Sequence, residues 1–266
     1  MRSPSRCAPA AATAWPTCRP SHSARWNCWP KRRAPNSRRI PRWHSAFPAR
    51  TLNRGVPAAI IAPTSDREGN SMPSDIDPRS GFRLPLPNRE DLDEAGKKIY
   101  DRGTTPGATI AGLQGPAGIQ LYTPKAAPYL TALNRYLRFE TGLSPQVREV
   151  AILATAREMD SQFEWVAHEP EALKEGVPQA TIDVIKYRRA TASLADTDRV
   201  AIELARQVWR DHKVTPELFA EGKALFGPNR LLDLVLLMGN YAGTAALLAT
   251  VDMQLHAGKK PLLPIP

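Results

Sequence analysis

Apolar residues at helical spacing dominate residues 143–176, and they predict two helices that meet at a short turn. The first helix is expected to begin at Ser144, because a serine hydroxyl caps free N–H groups and the proline that follows it suits a first turn. Polar residues at 159–161 interrupt the apolar run. We expect the second helix to start at this interruption and to continue through Ala172.

From residue 89 onward the other apolar residues also recur at helical spacing, and no segment alternates between apolar and polar residues as a strand does. Further helices are predicted over residues 88–102, 128–140, 181–188, 194–211, 215–227 and 228–255, with a glycine-rich loop at 103–118. The last predicted helix is apolar almost all round, which indicates burial in a core or at a subunit interface. We therefore expect an all-α fold, a compact and oligomeric bundle of several helices.

Basic charge is concentrated in residues 1–71. This segment holds 13 of the 36 Lys and Arg residues but 2 of the 26 Asp and Glu residues, so it carries +11 while residues 72–266 carry −1. It is dense in Arg, Pro, Ser and Ala without helical or strand spacing, and we expect a disordered N-terminal tail. The charge therefore predicts no nucleic-acid partner and no membrane partner for the helical part of the chain.

Three explanations of this tail stay open: a nucleic-acid-binding arm, a targeting peptide, or sequence that precedes a true start at Met72. The abrupt change in composition just before Met72 favours the third. After it we expect a Pro-rich extended lead-in at residues 72–88, the helical domain at 89–258 and a short tail at 259–266.

Cysteine use restricts the chemistry of the helical domain. Cys7, Cys18 and Cys28 are the only cysteines, and all three lie in the tail. A structural disulfide, a CxxC redox pair and a zinc–thiolate site are therefore excluded from residue 72 onward. This usage suits a cytoplasmic protein. We expect no membrane-spanning segment, because Gly, Asn or charged residues break the longest apolar runs.

Candidate chemistry lies on the two helices of residues 143–176. Ser161, Glu164 and His168 are spaced three and four residues apart, so their side chains share one helix face. Glu149 lies on the preceding helix, which a short turn folds back alongside. A carboxylate beside an imidazole can transfer protons, because histidine titrates near neutrality. Spacing alone favours the alternative, in which the glutamates are surface carboxylates and His168 is structural.

Three segments resemble a known family: GPAGIQLYTP at 115–124, LSPQVREVAILATARE at 143–158 and FEWVAHEPEALKEGV at 163–177. They are similar to the carboxymuconolactone decarboxylase family, within the alkylhydroperoxidase-like superfamily. The thiol-dependent branch of that superfamily carries Glu-x11-Cys-x2-Cys-x3-His. At those spacings this chain has, in order, Glu149, Ser161, Glu164 and His168. It resembles a branch without CxxC, and without a thiolate the peroxidase chemistry is unavailable at this site.

The resemblance implies a bundle of the alkylhydroperoxidase-like type that assembles as a trimer or a multiple of trimers. It also implies a cofactor-free decarboxylase (lyase) that acts on small carboxylated lactones of aromatic catabolism. In that chemistry His168 would be the general acid/base, Glu149 its orienting partner and Glu164 a second acid/base group. The expected partner is a small-molecule substrate, and no cofactor is expected.

Three further residues are candidates for substrate binding. Arg148 or Arg157 could bind a substrate carboxylate bidentately, although either could equally form a surface pair. Ser161 is either a helix cap or a hydrogen-bond donor to substrate. A metal site built from His168, Glu164 and Glu171 would contain a single histidine, and none is expected.

Two other functions stay open beside the decarboxylase. One is a peroxidase-like oxidoreductase, which the absence of CxxC disfavours. The other is a non-catalytic oligomeric binding protein that has kept the bundle, because a fold alone does not settle function.

Overall fold

The structure is a computed structural model that describes residues 73–265. The expected disorder of residues 1–71 and the expected start at Met72 fall outside the described residues. Across residues 73–265 the protein is all-α and forms no β-strand, apart from an isolated bridge between Asp77 and Phe82. The predicted fold class is therefore confirmed for this part of the chain.

Eight α-helices occur within residues 73–265. They are α1 (Glu94–Thr104), α2 (Pro116–Gln120), α3 (Ala127–Phe139), α4 (Pro145–Glu158), α5 (Gln162–Lys174), α6 (Gln179–Lys186), α7 (Asp196–Arg206) and α8 (Pro216–Thr250). A 3₁₀ turn at Arg89–Asp91 precedes α1, and a π-helical turn at Gln207–Asp211 follows α7.

Helix α4 lies at the centre of the bundle, where it contacts α5, α6, α7 and α8. Every residue from Val147 to Arg157 is buried. The Ser144 hydroxyl accepts a hydrogen bond from the Val147 N–H at 3.2 Å, as the sequence predicts for this helix start. A helix that is apolar on all sides is stable only in such surroundings. The polar residues Arg148 and Glu149 are therefore carried into the protein interior with it.

Helix α1 begins later than the sequence predicts. The Asn88 side chain donates to the Asp91 carboxylate rather than capping a long helix, and the backbone becomes extended at Leu92. Asp93 is the true cap, because its carboxylate accepts a hydrogen bond from the Gly96 N–H at 2.7 Å. The prediction of one helix from Asn88 was therefore wrong.

The lead-in and the C-terminal segment are both packed against the bundle. Residues 73–82 form tight turns rather than an extended strand, and Phe82 is fully buried in a small cluster with Ile119, Phe163 and Leu248. Leu263 is also buried. The expectations of an extended lead-in and a free tail missed these contacts, because both depend on residues far away in the sequence.

Helix α8 is broken at Gly227, whose φ of 75° and ψ of 163° are not helical, and Pro228 follows. The sequence predicts two helices that meet at this glycine. By length and composition α8 is a candidate membrane span, so the expectation that no segment is long enough was wrong. In the structure 39% of its most apolar window is buried, and α8 packs against α3, α4 and α7. Core helices of soluble proteins have the same composition.

Candidate active site

Glu149 and His168 form a buried hydrogen-bonded pair between α4 and α5. The chain reverses at Asp160, which has a positive φ of 47°, and so brings α5 back along α4. The Nδ1 atom of His168 lies 2.8 Å from Oε2 of Glu149. Glu149 is fully buried and His168 almost so. A carboxylate at this distance accepts the Nδ1 proton, which leaves Nε2 as the reactive nitrogen of the ring.

Glu164 faces the other nitrogen of the same imidazole. Its Oε2 lies 3.6 Å from Nε2 of His168, slightly beyond a hydrogen bond, and both side chains are about 5% exposed. The ring of Tyr241 on α8 meets the histidine ring edge-on, with centroids 5.1 Å apart. The imidazole therefore lies between two carboxylates, and a tyrosine closes one side.

The two carboxylates have opposite pKa shifts. Burial raises the pKa of Glu164, and the nearby His168 and Arg138 offset this only in part. Burial would also raise the pKa of Glu149, but the hydrogen bond from His168 and the charges of Arg138 and Arg148 outweigh it and lower this pKa. Burial raises the pKa of Tyr241 as well. The surroundings therefore favour the charged form of Glu149 and disfavour the charged form of Glu164.

Arg148 holds Glu149 in place. Its Nε lies 3.2 Å from Oε1 of Glu149, its Nη1 donates to the Arg138 carbonyl at 2.8 Å, and its Nη2 lies 3.5 Å from Oε1 of Glu175. Each guanidinium nitrogen of Arg148 therefore has a protein partner. The structure places Arg148 in the site, where it positions Glu149.

This chain is similar to known proteins in its sequence and in its fold. Residues 124–207, which contain Glu149, Ser161, Glu164 and His168, match the sequence model described as "Carboxymuconolactone decarboxylase family". Over residues 124–207 the chain is therefore similar to this family. The resemblance noted from the sequence is thereby confirmed. No curated protein matches the chain.

The fold is similar to that of a protein of known structure. The chain is similar to the crystal structure of the alkylhydroperoxidase AhpD core, an uncharacterized peroxidase-related protein from Ralstonia eutropha JMP134. The TM-score is 0.55 at 16% identity, and the match covers 68% of this chain and 98% of that one. At this identity the similarity shows an alkylhydroperoxidase-like fold and leaves the activity open.

Two residues predicted to bind substrate, Arg157 and Ser161, do not contact the Glu149–His168 pair in the structure. Arg157 lies eight residues after Glu149 on α4, about 12 Å along the helix axis. Its Nε donates to the Lys186 carbonyl at 2.8 Å, and it also pairs with Asp160. Ser161 precedes the first residue of α5, yet its side chain accepts no capping hydrogen bond. The structure therefore separates Arg157 from the site, and the capping role of Ser161 was wrong.

Arg138 and Tyr241 were missed by the sequence analysis. Nη2 of Arg138 on α3 lies 3.6 Å from Oε1 of Glu149, and Tyr241 on α8 packs against His168. Tyr241 is one of several polar residues in the mostly apolar second part of α8, which is a weak signal. Arg138 lies within the family match but ahead of the motif Glu149–His168, and nothing in its local pattern distinguishes it from other surface arginines.

Two surface cavities lie beside the family's motif residues without including them. One, of about 470 Å³, lies between the end of α3 and the α8 break, at Tyr136, Gly227 and Asp233. The other, of about 180 Å³, lies between α5 and the chain near His256. Among residues 73–265 no three His, Cys, Asp or Glu side chains form a group that could hold a metal ion. Among the charged residues of the candidate site, Arg138 has the most exposed side chain.

Proposed function

We propose that this chain is a cofactor-free lyase or isomerase that acts on a small carboxylated lactone or related carbonyl compound by acid/base proton transfer. One observation carries the proposal: a single imidazole lies between two carboxylates, Glu149 and Glu164, whose pKa values are shifted in opposite directions. Titratable groups whose surroundings separate their pKa values are typical of acid/base sites. The match to the carboxymuconolactone decarboxylase family supports the reaction class.

Each residue has a distinct role in the proposed reaction. Ionised Glu149 holds the His168 proton on Nδ1, so Nε2 is free to accept a proton. In a decarboxylation the bond between the ring carbon and the carboxylate carbon breaks, and carbon dioxide leaves. The electron pair passes into the conjugated carbonyl as a dienolate. The ring carbon then takes a proton from Glu164, and His168 Nε2 accepts a proton from solvent and passes it to Glu164.

An isomerisation would use the same three groups. His168 Nε2 would remove a proton from a carbon next to the carbonyl, and Glu164 would return a proton to another carbon of the same dienolate. The thiol peroxidase alternative is not part of the proposal, because the two cysteine positions of the thiol branch hold Ser161 and Glu164.

The non-catalytic alternative has one observation in its favour. His168, Glu149 and Glu164 are all buried, and neither described cavity includes them. A buried Glu–His pair can serve as a structural ion pair, which needs no substrate access. Activity measurements on matched variants separate the two functions.

The test is a substrate screen on the full chain. Carboxylated lactones and 1,3-dicarbonyl compounds would be assayed for carbon dioxide release and for carbon-bound hydrogen exchange in deuterated buffer. We expect His168→Gln and Glu149→Gln to lower the rate at least 100-fold, the usual effect of removing a general acid or base. Glu171→Gln, one turn after His168 on α5, is the matched control and should keep the rate.

Two results would overturn this assignment. The first is that no compound of either class reacts with the wild-type protein. The second is that the His168 and Glu149 variants, shown to be folded by circular dichroism, react as fast as the wild type. Either result would favour the binding protein.

We also propose that the chain assembles into a homo-oligomer, a trimer or a multiple of trimers. Helices α3 and α8 expose large apolar side chains, among them Tyr129 at 78% and Leu232 at 59%. Exposed large apolar side chains on two helices that contact each other are typical of an interaction site. Sedimentation of the full chain should show the oligomer, and the double variant Leu232→Glu, Leu236→Glu should sediment as a smaller species. A monomeric wild type would contradict this.

The cytoplasmic location and the role in aromatic catabolism stay predictions.

A further inference from the structure

Arg138 carries an N–H group that no protein atom accepts. Among residues 73–265 its Nε is buried without a hydrogen-bond partner, and its Nη2 lies 3.6 Å from Glu149 Oε1, beyond hydrogen-bond distance. We propose that Arg138 binds the anionic group of a small substrate, with Nε and one Nη as paired donors. This inference rests on the proposed function, because it concerns the substrate of the same site.

The other arginines near the motif lack this freedom. Arg148 divides its guanidinium among Glu149, Glu175 and the Arg138 carbonyl. Arg157 is bound at the far end of α4. A buried donor without an acceptor is unfavourable, so an anion that accepts the Nε–H of Arg138 removes a penalty as well as adding an attraction. Arg138 is therefore the residue of the three that gains most from a ligand.

The position of Arg138 suits contact with the reacting groups. Its charge opposes the rise in the pKa values of Glu164 and Tyr241, and it helps to lower the pKa of Glu149. One guanidinium thus acts on three members of the site. Its backbone carbonyl accepts a hydrogen bond from Arg148 at 2.8 Å, which ties the end of α3 to α4. An anion on Arg138 would lie beside the Glu149–His168 pair.

Arg138 is also the member of the site that solvent reaches. Its side chain is 16% exposed, whereas that of Glu149 is fully buried. It lies on α3, and polar contacts of Tyr136 with Asp233 and of Asn240 with Asn134 hold this helix to α8. Of the charged side chains in the site, that of Arg138 is therefore the most accessible to an anion from solvent. Planar carboxylates bind arginine through two parallel hydrogen bonds, which also fixes their orientation.

The test measures binding separately from turnover. The full chain would be titrated with 2-furoate and with its neutral isostere 2-furamide, and the imidazole signal of His168 would be followed by NMR. We expect wild type to bind furoate at least 10-fold more tightly than furamide. Arg138→Met should abolish that preference, and Arg138→Lys should keep part of it because a point charge remains. Arg135→Met, on the exposed side of the same helix, is the control and should change nothing.

The outcomes separate this inference from the proposed function. An Arg138-dependent preference for furoate in a protein that turns nothing over would support the anion site and contradict the lyase. If wild type does not bind furoate, or if folded Arg138→Met keeps the preference, the inference fails whatever the activity. For any compound that reacts, folded Arg138→Met should raise KM at least 10-fold, and an unchanged KM would contradict the inference.

Discussion

Two clusters of charge lie at opposite ends of α4, and they differ in how completely their charges are paired. The site cluster consists of Arg138, Arg148, Glu149, Glu164 and His168; the anchor cluster consists of Arg157, Glu158, Asp160, Arg188 and Arg210. In the anchor cluster Glu158 pairs with Arg210, and Asp160 pairs with both Arg157 and Arg188. In the site cluster Glu164 has no hydrogen bond among the described residues, and Arg138 keeps a free Nε–H.

The difference separates structural charge from functional charge. Paired charges and carbonyl acceptors satisfy Arg157, and such groups stabilise a fold without offering anything to a ligand. Unpaired buried groups cost free energy, and proteins retain them mainly at functional sites. Both ends of α4 carry arginines and look equivalent in sequence. Among residues 73–265, only the N-terminal end has a nearby arginine, Arg138, with a buried N–H that lacks an acceptor, and we therefore propose the chemistry there.

The largest expected change in stability comes from a substitution in the anchor cluster. Arg157→Met removes the donors to the Lys186 carbonyl and to Asp160 and leaves both acceptors without this partner. We expect the free energy of unfolding to fall by about 3 kcal/mol, because the buried Arg157 side chain loses its packing and the Lys186 carbonyl loses its donor, while Asp160 is 39% exposed and adds little. Urea denaturation would measure it. Turnover per folded molecule should not change, and a loss of turnover at full stability would contradict the assignment of Arg157 to structure.

The second effect is in the site cluster. Glu149→Gln should lower the free energy of unfolding by about 2 kcal/mol at pH 7, because Arg148 loses its ionised partner. The pKa of Glu149 is lowered in the fold, so its stabilisation is present above the ordinary glutamate pKa and is lost as pH falls through the folded pKa. Urea titrations from pH 7 downward should show the variant and wild type converging. A constant difference would mean that charge is not the cause.

Glu164→Gln should raise the free energy of unfolding, whereas Glu149→Gln should lower it. The pKa of Glu164 is raised in the fold, so the stability that its protonated form supplies is present at low pH and is lost as pH rises through the folded pKa. An amide avoids this loss, and we expect the variant to be about 1 kcal/mol more stable than wild type at pH 8. The gain should vanish near pH 4. Thermal unfolding at both pH values would measure it, and a destabilised variant at pH 8 would contradict the raised pKa of Glu164.

The smallest expected effect is at the rim of the anchor cluster. Arg210 is 41% exposed, so solvent screens its pair with Glu158, which also lies within 3.9 Å of Arg188. Arg210→Gln should therefore lower the free energy of unfolding by less than about 1 kcal/mol, and the difference should shrink in 0.5 M salt. Chemical denaturation at two salt concentrations would measure it. A loss as large as that of Arg157→Met would remove the distinction between core and rim.

The helices were predictable where their signals are local. Ser144 and Thr215 both cap helices through their hydroxyls, and each is followed by a proline in the first turn. The buried turn at Phe82 was not predictable, because residues more than thirty positions away bury it. Local periodicity carries no information about such partners.

The site was predictable in part. Helical spacing and the family motif bring Glu149, Glu164 and His168 to one place, and the structure shows them in contact distance there. Their catalytic roles stay predictions. Arg138 and Tyr241 were not predictable, because α3 and α8 deliver them through packing. The sequence made Arg148 and Arg157 equally good candidates for binding a substrate carboxylate. Only their hydrogen-bond acceptors in the folded chain distinguish them.

The docked C-terminal segment sets an order of events during synthesis. The Gln162 side chain at the start of α5 accepts hydrogen bonds from the N–H groups of Leu262 and Leu263, both at 2.8 Å. Arg157 donates to the Pro264 carbonyl at 3.5 Å. About one hundred residues separate these partners, and a ribosome needs roughly 5–20 s to add them. A nascent chain can therefore pair Glu149 with His168 well before the turn between α4 and α5 receives its last hydrogen bonds. Emergence of residues 262–264, rather than emergence of the motif, therefore completes these contacts.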